Sequence, residues 1–440
     1  MINELPKDWK WVKLGEVCHT TSGGTPSRRE TKYYNGNIPW VKSGELDKGI
    51  ITDTEEKISE EAVKNSSAKI FPKGTLLIAL YGATIGKLAF LGVDAATNQA
   101  ICGIYKNEKI DSHFLYNYLF YKKQKLVNQG IGGAQPNISQ TILKNLELPL
   151  PPLTTQQAIV TKIEELFSEL DKGIEQLKTA QQQLKTYRQS VLKWAFEGKL
   201  ITNRIDNFSK VVNSNEQDLI KKEILQSSNS ENSASDKCEL PKGWKWVKLS
   251  EVAEKITDGE HFRPPTQESG IPFLSAKDVR DDGVSFDNPL FISEETAKKA
   301  QQRCNPQRGD ILIVSRGATV GRMCIIKTDA RFCLLGSVIL IKVNKTIDSN
   351  FINYVLKSPL ANQKMITVSG ATAQQAIYLR DIKDIEIPFC PIEEQHQIVQ
   401  AIESRLSVAD KMEESITQSL LQSEALRQSI LKKAFEGRLL

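Results

Sequence analysis

Short apolar runs alternate along this chain with Gly, Pro and Asn, and this pattern predicts strands bounded by turns. Clear examples are IPWV (38–41), TLLIAL (75–80), ILIVS (311–315) and SVILIKV (337–343). Two longer stretches, HFLYNYLFYKKQKLV (113–127) and NFINYVLKSPLANQKMI (350–366), predict helices. Because helices and strands mix without a regular βαβ order, we expect compact α+β domains.

Two further segments predict long helices. Apolar residues recur at spacings of four and three from Ile159 to Trp194, interrupted only at Gly173, which is typical of a coiled-coil seam. Gly198 stands where a helix would end. A second, less regular seam runs from Ile398 to Ile430 and includes Leu426. Since an apolar seam must be buried, we expect the two helices to pack against each other.

The chain is one unit written twice. ELPKDWKWVKLGEV (4–17) matches ELPKGWKWVKLSEV (239–252), and GATIGK (82–87) matches GATVGR (317–322), both at an offset of 235. RQSVLKWAFEGKL (188–200) matches RQSILKKAFEGRL (427–439) at an offset of 239. A repeat this long indicates two copies of a domain and its helix. The predicted segments are domains at 1–152 and 239–391, long helices at 153–200 and 392–440, and a polar linker at 201–238, within which 211–225 could add a short helix.

Charge and composition narrow the class of protein. The net charge is +5: residues 1–152 carry +4, residues 239–392 carry +3, and the remaining segments together carry −2. This excess suits a basic face for a polyanion, although a random surface imbalance explains it equally well. The seven cysteines are scattered without C-x-x-C, so we expect reduced, buried thiols. No apolar run approaches a membrane span and no signal-peptide core is present, so we expect a cytoplasmic protein.

Motifs for catalysis are missing. GATIGK lacks the spacing and the final Ser/Thr of a phosphate-binding P-loop. No strand leads into G-x-G-x-x-G, no N-P-P-[FY] or D-P-P-[FY] marks a methyltransferase pocket, and the four histidines have no metal-binding spacing. We therefore expect no catalytic site and no metal site in this chain.

The repeated motifs resemble those of a known family. The L-P-x-x-W opening, G-A-T-[IV]-G-[KR] and the helix junction P-P-L-x-x-Q-x-x-I-V (151–160) occur in this order in both halves. Only the second junction departs, with Cys390-Pro391-Ile392 in place of Pro151-Pro152-Leu153. In these features, which cover nearly the whole chain, it resembles the specificity subunit of Type I restriction-modification enzymes.

The resemblance implies a fold and a function. It implies two target-recognition domains related by a pseudo-two-fold axis and separated by two long antiparallel coiled-coil helices. Each domain would read one half of a split, asymmetric target in double-stranded DNA. Two methyltransferase subunits and the restriction subunits would dock on the chain. S-adenosylmethionine, ATP and Mg would bind to those partners, and no cofactor to this chain.

Two other functions stay open on sequence alone. The first is a DNA-modifying enzyme, a nuclease or methyltransferase, whose site carries no familiar motif; activity of the purified chain would reveal it. The second is a coiled-coil scaffold that does not read DNA. Salt-dependent binding that prefers one sequence would exclude it.

Candidate DNA-binding residues follow from the loops that differ between the repeats, GGTPSRRETKYYNGNIPWVKSGEL (23–46) and DGEHFRPPTQESGIPFLSAKDV (258–279). Forked donors and amides read base edges in the major groove. The candidates of the first repeat are Thr25, Arg28, Arg29, Lys42 and Ser43, and those of the second are Asp258, His261, Arg263, Lys277 and Arg280. Lys87, Arg316 and Arg322 flank the G-A-T-x-G turns and could hold phosphates, and Gln135 and Gln374 lie in the loops before the last strand. For each, a solvated surface residue is the alternative.

The helix ends match more closely than a coiled coil requires. This predicts docking of the methyltransferase subunits there, with helix capping as the alternative. The predicted docking residues are Lys193, Phe196, Glu197, Lys432, Phe435 and Glu436.

Overall fold

The computed structural model describes residues 5–129, 137–200, 223, 239–369 and 376–440. The chain divides into two compact units. Unit 1 consists of Met1–Leu177 and Gln418–Leu440, and unit 2 of Lys178–Thr417. The boundaries fall within the two long helices, so each unit contains the start of one long helix and the end of the other.

The first repeat contains eleven short strands and five helices among its described residues. The strands are β1 (Lys10–Lys13), β2 (Thr20–Ser22), β3 (Ile38–Val41), β4 (Ile50–Ile51), β5 (Glu56–Ile58), β6 (Ile70–Phe71), β7 (Leu76–Ala79), β8 (Leu88–Leu91), β9 (Ala95–Thr97), β10 (Ile101–Ile104) and β11 (Glu147–Leu150). The helices are α1 (Leu14–Val17), α2 (Glu60–Lys64), α3 (Ser112–Asn128), α4 (Gln140–Lys144) and α5 (Leu153–Phe196), with 3₁₀ turns at Thr31–Tyr34 and Ser43–Lys48.

The second repeat has corresponding elements. Its strands are β12 (Lys245–Lys248), β13 (Ala253–Asp258), β14 (Ile271–Leu274), β15 (Val279–Arg280), β16 (Gly283–Val284), β17 (Leu290–Ile292), β18 (Ile311–Val314), β19 (Met323–Ile325), β20 (Cys333–Leu334), β21 (Val338–Val343) and β22 (Glu386–Phe389). Its helices are α6 (Leu249–Val252), α7 (Glu294–Arg303), α8 (Ser349–Lys357), α9 (Pro359–Ser369), α10 (Leu379–Lys383) and α11 (Ile392–Phe435), with a 3₁₀ turn at Ala276–Asp278.

The two units share their sheet topology. Unit 1 has a five-stranded sheet in the order β2-β10-β7-β8-β4, and unit 2 a four-stranded sheet in the order β13-β21-β18-β19. A second sheet contains β5-β3-β9-β6 in unit 1 and β17-β14-β20 in unit 2, and the first strand of each repeat pairs with the last, β1 with β11 and β12 with β22. The predicted α+β class is confirmed.

The central strands are apolar throughout because both of their faces are covered. In β7, Leu76 and Ile78 belong to the core cluster that includes α3, whereas Leu77 and Ala79 belong to the cluster shared with the second sheet. Strand β18 divides its side chains in the same way. A strand that is buried on both faces reads as a continuous apolar run, which is why these segments were recognisable from sequence.

The single helix predicted at 350–366 is divided into two helices in the structure. The segment 350–366 folds as α8 and α9, with a break at Ser358. Pro359 has no backbone N–H, and the residue before a proline is disfavoured in the helical conformation. The Ser358 hydroxyl donates to the Val355 carbonyl at 2.6 Å and satisfies an acceptor at the end of α8.

The long helices pair within each unit, as expected. In unit 1, the Arg427 guanidinium pairs with Asp171 and lies 4.5 Å from the centre of the Phe167 ring. In unit 2, Arg188 pairs with Asp410 at 2.6 Å and with Glu413 at 2.7 Å. The start of one helix meets the end of the other, so the pairing is antiparallel in each unit.

The seam is less extensive than its spacing predicts. Leu426, placed in the seam from sequence, is 51% exposed. Between residues 166 and 183 the seam positions are half-buried, and full burial is found toward the helix ends, where the helices meet the domains. The reason is that each helix end contributes to a domain core in addition to the coil.

The end of each helix completes the core of the opposite repeat. Phe435, at the end of α11, lies in the core of unit 1 at centroid distances of 5.3 Å from Phe114 and 4.9 Å from Tyr118. Phe196, at the end of α5, lies 5.5 Å from Phe351 in the core of unit 2. The end of the C-terminal helix is therefore part of the domain that begins the chain.

A glycine ends each long helix against a proline of the repeated opening motif. Gly198 has φ +74° and Gly437 has φ +70°, a conformation that favours glycine. An added Cβ at Gly198 would collide with the Pro241 ring, and one at Gly437 with the Pro6 ring. The helix-end motif and the L-P-x-x-W opening, which are closely matched between the repeats, thus contact each other once in each unit.

A buried glutamine fixes the start of each long helix. Gln156 is fully buried; its Oε1 accepts from Asp111 N at 2.8 Å and its Nε2 donates to Pro151 O at 2.9 Å. Gln395 accepts from Asp348 N at 3.1 Å in the same way. These bonds explain the glutamine of the P-P-L-x-x-Q motif.

The described cysteines are all buried and free, as predicted. Cys238 and most of the possible helix at 211–225 lie outside the described residues; Glu223 is helical. No described helix is long and apolar enough to cross a membrane.

Candidate nucleic-acid interface

The matched G-A-T-x-G segments are tight turns. They connect β7 to β8 and β18 to β19, and all four of their glycines have positive φ: Gly82 at +82°, Gly86 at +75°, Gly317 at +106° and Gly321 at +84°. Glycine adopts this conformation without the steric penalty of a Cβ, so the motif is required by the turn. The turns therefore form part of the common scaffold.

The residue before each turn differs between the units. Tyr81 in unit 1 and Arg316 in unit 2 are related by the repeat offset of 235. Each lies just after a central strand and forms an isolated antiparallel β-bridge, Tyr81 with Asn137 and Arg316 with Ala376. The same backbone position is thus held by the same bridge, but it presents a phenol in one unit and a guanidinium in the other.

The neighbouring strand ends in a second variable position. Strand β2 ends at Ser22 and β13 at Asp258, and each is followed by a glycine, Gly23 or Gly259. At both glycines an added Cβ would collide with the backbone at the end of a neighbouring strand, β9 at Gly23 and β20 at Gly259. The close approach fixes the backbone here, so that mainly the side chains of Ser22 and Asp258 distinguish the two sites.

In unit 2 these positions line a cleft of about 540 Å³. Its polar lining includes Asp258, His261, Arg316, Tyr378 and Arg380. The Arg380 guanidinium lies 5.4 Å from the centre of the Tyr378 ring, which is 39% exposed. The cleft therefore offers cationic donors and an aromatic surface to a ligand.

A charged network holds the acidic side of the cleft. Asp258 pairs with the Arg303 guanidinium, and His261 Nε2 lies 3.5 Å from the Asp258 carboxylate and 2.6 Å from Arg303 Nη2. Asp258 itself is 8% exposed. Because Arg303 neutralises the carboxylate from one side, Asp258 can remain in the cleft as a fixed hydrogen-bond acceptor.

The corresponding positions in unit 1 are neutral. Gln140 Nε2 donates to the Ser22 hydroxyl at 2.6 Å, and Thr25 contacts Gln99. Tyr81 also hydrogen-bonds to Gln99, and burial raises the pKa of its phenol above the usual 10.0. Amides and hydroxyls thus replace the charged groups of unit 2.

Several predicted residues of unit 1 lie near this site. The Arg28 guanidinium is 5.2 Å from the centre of the Trp40 ring, and the Trp40 indole donates to Gly24 O at 3.1 Å. Gly24 precedes Thr25. Arg28 and Thr25 are therefore connected through Trp40.

Acidic neighbours engage some of the predicted cations. Lys42 pairs with Glu55 at 2.8 Å and with Glu56 at 3.2 Å, and Glu56 also pairs with Arg28 at 2.6 Å. These bonds raise the pKa of Lys42 and lower that of Glu56. Arg29 is exposed, and Ser43 starts a 3₁₀ turn.

The other candidates of the turns and loops are more dispersed. Lys87 follows its turn and pairs with Asp47 at 2.5 Å. Arg322 follows the turn of unit 2 and is half-buried. Gln135 and Gln374 lie outside the described residues, so the prediction for them is unchanged.

Three candidates of unit 2 lie outside the lining of the cleft. Arg263 is exposed. Arg280 pairs with Asp287 at 2.6 Å, and Lys277 Nζ donates to Asn288 O at 3.3 Å, both around the hairpin β15–β16. The structure thus brings Asp258, His261 and Arg316 together and places these three in other parts of the same domain.

Sequence reasoning missed some residues of the site. They are Arg303, Tyr378 and Arg380 in unit 2 and Ser22, Tyr81, Gln99 and Gln140 in unit 1. A signal existed for Tyr81, because it differs from its repeat partner Arg316 directly before an identical G-A-T triplet. A single change at the edge of a matched block indicates a side chain that varies on a constant backbone.

The structure corrects the prediction that Phe196 and Phe435 contact the partner subunits. Phe196 and Phe435 are each only 4% exposed and belong to the domain cores. A ring buried among aromatic side chains is inaccessible to another protein, so core packing explains why both repeats keep it. The prediction of direct docking through these two rings is wrong.

The polar members of the same set remain candidates. Lys432 is exposed, whereas Lys193, Glu197 and Glu436 are half-buried. Glu197 and Glu436 each form an ion pair with a cation two residues further along the chain. Docking on these side chains stays a prediction.

The described residues contain no group of three or more His, Cys, Asp or Glu that could hold a metal ion. The groups brought together at the strand ends are hydrogen-bond donors and acceptors. Paired, similarly built sites with different side chains define a class of protein that recognises two different elements of a ligand.

Comparison with known proteins identifies that class. The family model described as the Type I restriction modification DNA specificity domain matches residues 6–179 and again 241–422. The chain belongs to this family, whose members determine the DNA sequence specificity of Type I restriction-modification systems. The two matches coincide with the internal repeat.

Curated relatives extend over nearly the whole chain. It is 26% identical to the Type I restriction enzyme EcoBI specificity subunit of Escherichia coli, over 98% of this chain and 86% of that protein. It is 27% identical to the Type I restriction enzyme MjaIX specificity subunit of Methanocaldococcus jannaschii, over 100% of this chain and 95% of that protein.

Solved structures share the fold. A chain from a study of complex assembly and conformational transition of the type I R-M system matches with a TM-score of 0.74 at 22% identity, covering 99% of this chain and 100% of that chain. The HsdS subunit of Thermoanaerobacter tengcongensis matches with a TM-score of 0.58 at 22% identity, covering 99% and 98%.

Proposed function

We propose that this specificity subunit reads an asymmetric, bipartite DNA target, with one half-site for each repeat. The observation that supports this most directly is the pair of equivalent strand-end sites with different chemistry. Tyr81 and Ser22 stand in unit 1 where Arg316 and Asp258 stand in unit 2. Two different donor and acceptor patterns match two different base sequences.

The backbone geometry supports the same proposal. Recognition requires side chains to be held rigidly, and here the variable residues lie at strand ends, beside glycines whose close contacts fix the chain. Because the scaffold is constant and only the side chains at the strand ends vary, the sequence specificity can change while the fold stays the same.

The chain contributes recognition, and its partners contribute the chemistry. We propose that two methyltransferase subunits and the restriction subunits bind to it, in part at the helix ends near Lys193 and Lys432. S-adenosylmethionine, ATP and Mg then belong to those subunits and this chain binds no cofactor. The absence of cofactor motifs from the sequence supports this division.

The experiment is selection from a random pool of DNA duplexes by the complex of this chain with its methyltransferase subunits. The expected enriched sequence has two different conserved blocks separated by a gap of fixed length and unspecified sequence. Exchanging residues 22–81 for those of a related subunit should change one block only, and exchanging 258–316 the other. Enrichment of one block, or of none, would contradict the proposal.

Catalysis is tested with the chain alone. Purified without partners, it should neither cleave a DNA duplex nor transfer a methyl group to it. Activity that copurifies with the chain, above that of a mock preparation, would favour the alternative of a DNA-modifying enzyme.

A further inference from the structure

We propose that Arg316 and Asp258 in the cleft of unit 2 read one G·C base pair by its major-groove edge, and that no equivalent reading occurs in unit 1. This inference rests on the proposed function and specifies it. It also changes the sequence-based expectation for Arg316, which was a phosphate contact.

The charges of the cleft favour a base over a phosphate. A phosphate pocket surrounds its ligand with donors and cations. Here the Asp258 carboxylate lines the same cleft as the Arg316 guanidinium. A phosphate carries only acceptors and would leave the Asp258 carboxylate without a donor, whereas a base pair presents acceptors and donors side by side.

The donor and acceptor types match a particular pair. Guanine presents two acceptors, O6 and N7, to a forked arginine, and cytosine presents the N4 amino group to a carboxylate. Arg316 supplies the fork and Asp258 the acceptor. An A·T pair presents the N7 acceptor and N6 donor of adenine and the O4 acceptor and methyl group of thymine, so no single base offers the two adjacent acceptors that the arginine fork requires.

Both groups are prepared for this role. Arg316 is exposed, and its guanidinium forms no hydrogen bond or ion pair within the described part of the chain, so its donors are available. Its backbone is fixed by the bridge to Ala376, and the backbone N–H of the preceding Ser315 donates to Ser337 O at 2.9 Å. Arg303 holds Asp258 in place.

Unit 1 provides an internal comparison. Tyr81 and Ser22 occupy the positions of Arg316 and Asp258 on the same backbone. A phenol and a hydroxyl cannot form the bidentate contact with guanine or accept as a carboxylate does. We therefore expect the base pair at this position of the other half-site to differ.

The test maps methylated adenines genome-wide in a methylation-deficient host that expresses the full chain with its methyltransferase subunits. With Arg316→Gln, one position of one half-site should change from G·C to several bases, while the other half-site keeps its sequence. Arg316→Lys retains the charge but not the fork, and should also relax that position. Arg308→Gln, an exposed arginine paired with Asp329, is the matched control and should change nothing.

Binding measurements then separate base from phosphate contact. Replacing the assigned G·C pair by A·T should weaken binding by the wild-type complex about 10- to 100-fold, and by the Arg316→Gln complex less than about 3-fold. If Arg316 contacts a base, the dependence of the binding constant on salt concentration should have the same slope, within experimental error, for the wild-type and Arg316→Gln complexes.

Two results would overturn the inference while leaving the proposed function intact. One is an unchanged motif with Arg316→Gln, accompanied by uniformly weaker binding and a salt slope lower by about one. The other is relaxation at an A·T pair. If the wild-type complex itself methylates without any two-part motif, the proposed function fails as well. Because Arg316 is exposed, its substitution leaves the core unchanged.

Discussion

Removing the Phe435 ring should destabilise the domain at the other end of the sequence. Phe435 is 4% exposed and packs on Phe114, Tyr118 and Tyr121 at centroid distances of 5.3, 4.9 and 5.7 Å. Truncation of a buried phenylalanine to alanine costs about 3–5 kcal/mol, since both the transfer energy and the cavity contribute. We therefore expect Phe435→Ala to lower the free energy of unfolding of unit 1 by about that amount.

Hydrogen exchange locates the effect. A loss of about 3 kcal/mol corresponds to roughly a 100-fold change in an opening equilibrium, and so in the exchange of amides that open with the core. With Phe435→Ala, the faster exchange should appear in α3, about 300 residues earlier in the sequence. Denaturant unfolding followed by tryptophan fluorescence gives the corresponding free energy.

Two variants serve as controls. Phe196→Ala, the repeat counterpart, should accelerate exchange in α8 of unit 2 and leave α3 unchanged, because Phe196 packs on Phe351. Lys432→Ala, one turn before Phe435 and exposed, should change neither. If Phe435→Ala accelerates exchange only within the end of α11, the assignment of this helix end to the core of unit 1 is refuted.

Three further predictions concern the other repeated features. Gly437→Ala should destabilise unit 1 by more than about 1 kcal/mol, as measured by denaturant unfolding, because alanine must adopt a positive φ and meet the Pro6 ring; Lys433→Ala, an exposed change on the last turn, should have little effect. Gln156→Leu should lower the stability in thermal unfolding, since it leaves Asp111 N and the carbonyls of Pro151 and Lys109 without their partner, at a cost of about 1–3 kcal/mol for the buried Pro151 carbonyl and less for the part-buried groups. A stability equal to wild type would show that these bonds are unimportant. Each long helix has 44 residues and spans about 66 Å. Inserting four residues into both adds about 6 Å and should lengthen the gap in the methylated motif by about one to two base pairs, and an unchanged gap would contradict a role of the helices in spacing.

The local elements could be read from the sequence because their causes are local. Strands β7 and β18 are continuous apolar runs, and the G-A-T-x-G turns require glycine at positive φ. The repeat, and with it the presence of two similar domains, follows from matching residues alone. The cause of the helix break, Pro359, is also local. The sequence pattern did not reveal this break because apolar residues continue at helical spacing across the proline.

The candidate site was only partly accessible to the same reasoning. Arg316, Asp258 and His261 were selected from sequence, but their assembly into one cleft depends on β13 and β18 lying in one sheet with β21 between them. Tyr378 and Arg380 are more than 60 residues further along the chain and carried no motif. Residues of this kind meet through strand order, which composition and spacing do not encode.

The sequence by itself determined that one domain and one helix occur twice, with different loops in each copy. Only the tertiary structure decided to which core each helix end belongs. A helix seam specifies that apolar residues must be buried, but any apolar partner satisfies that requirement equally. Phe435 is buried against Phe114 rather than in its own repeat because antiparallel pairing brings the end of one helix to the start of the other, where the core of the opposite repeat is open.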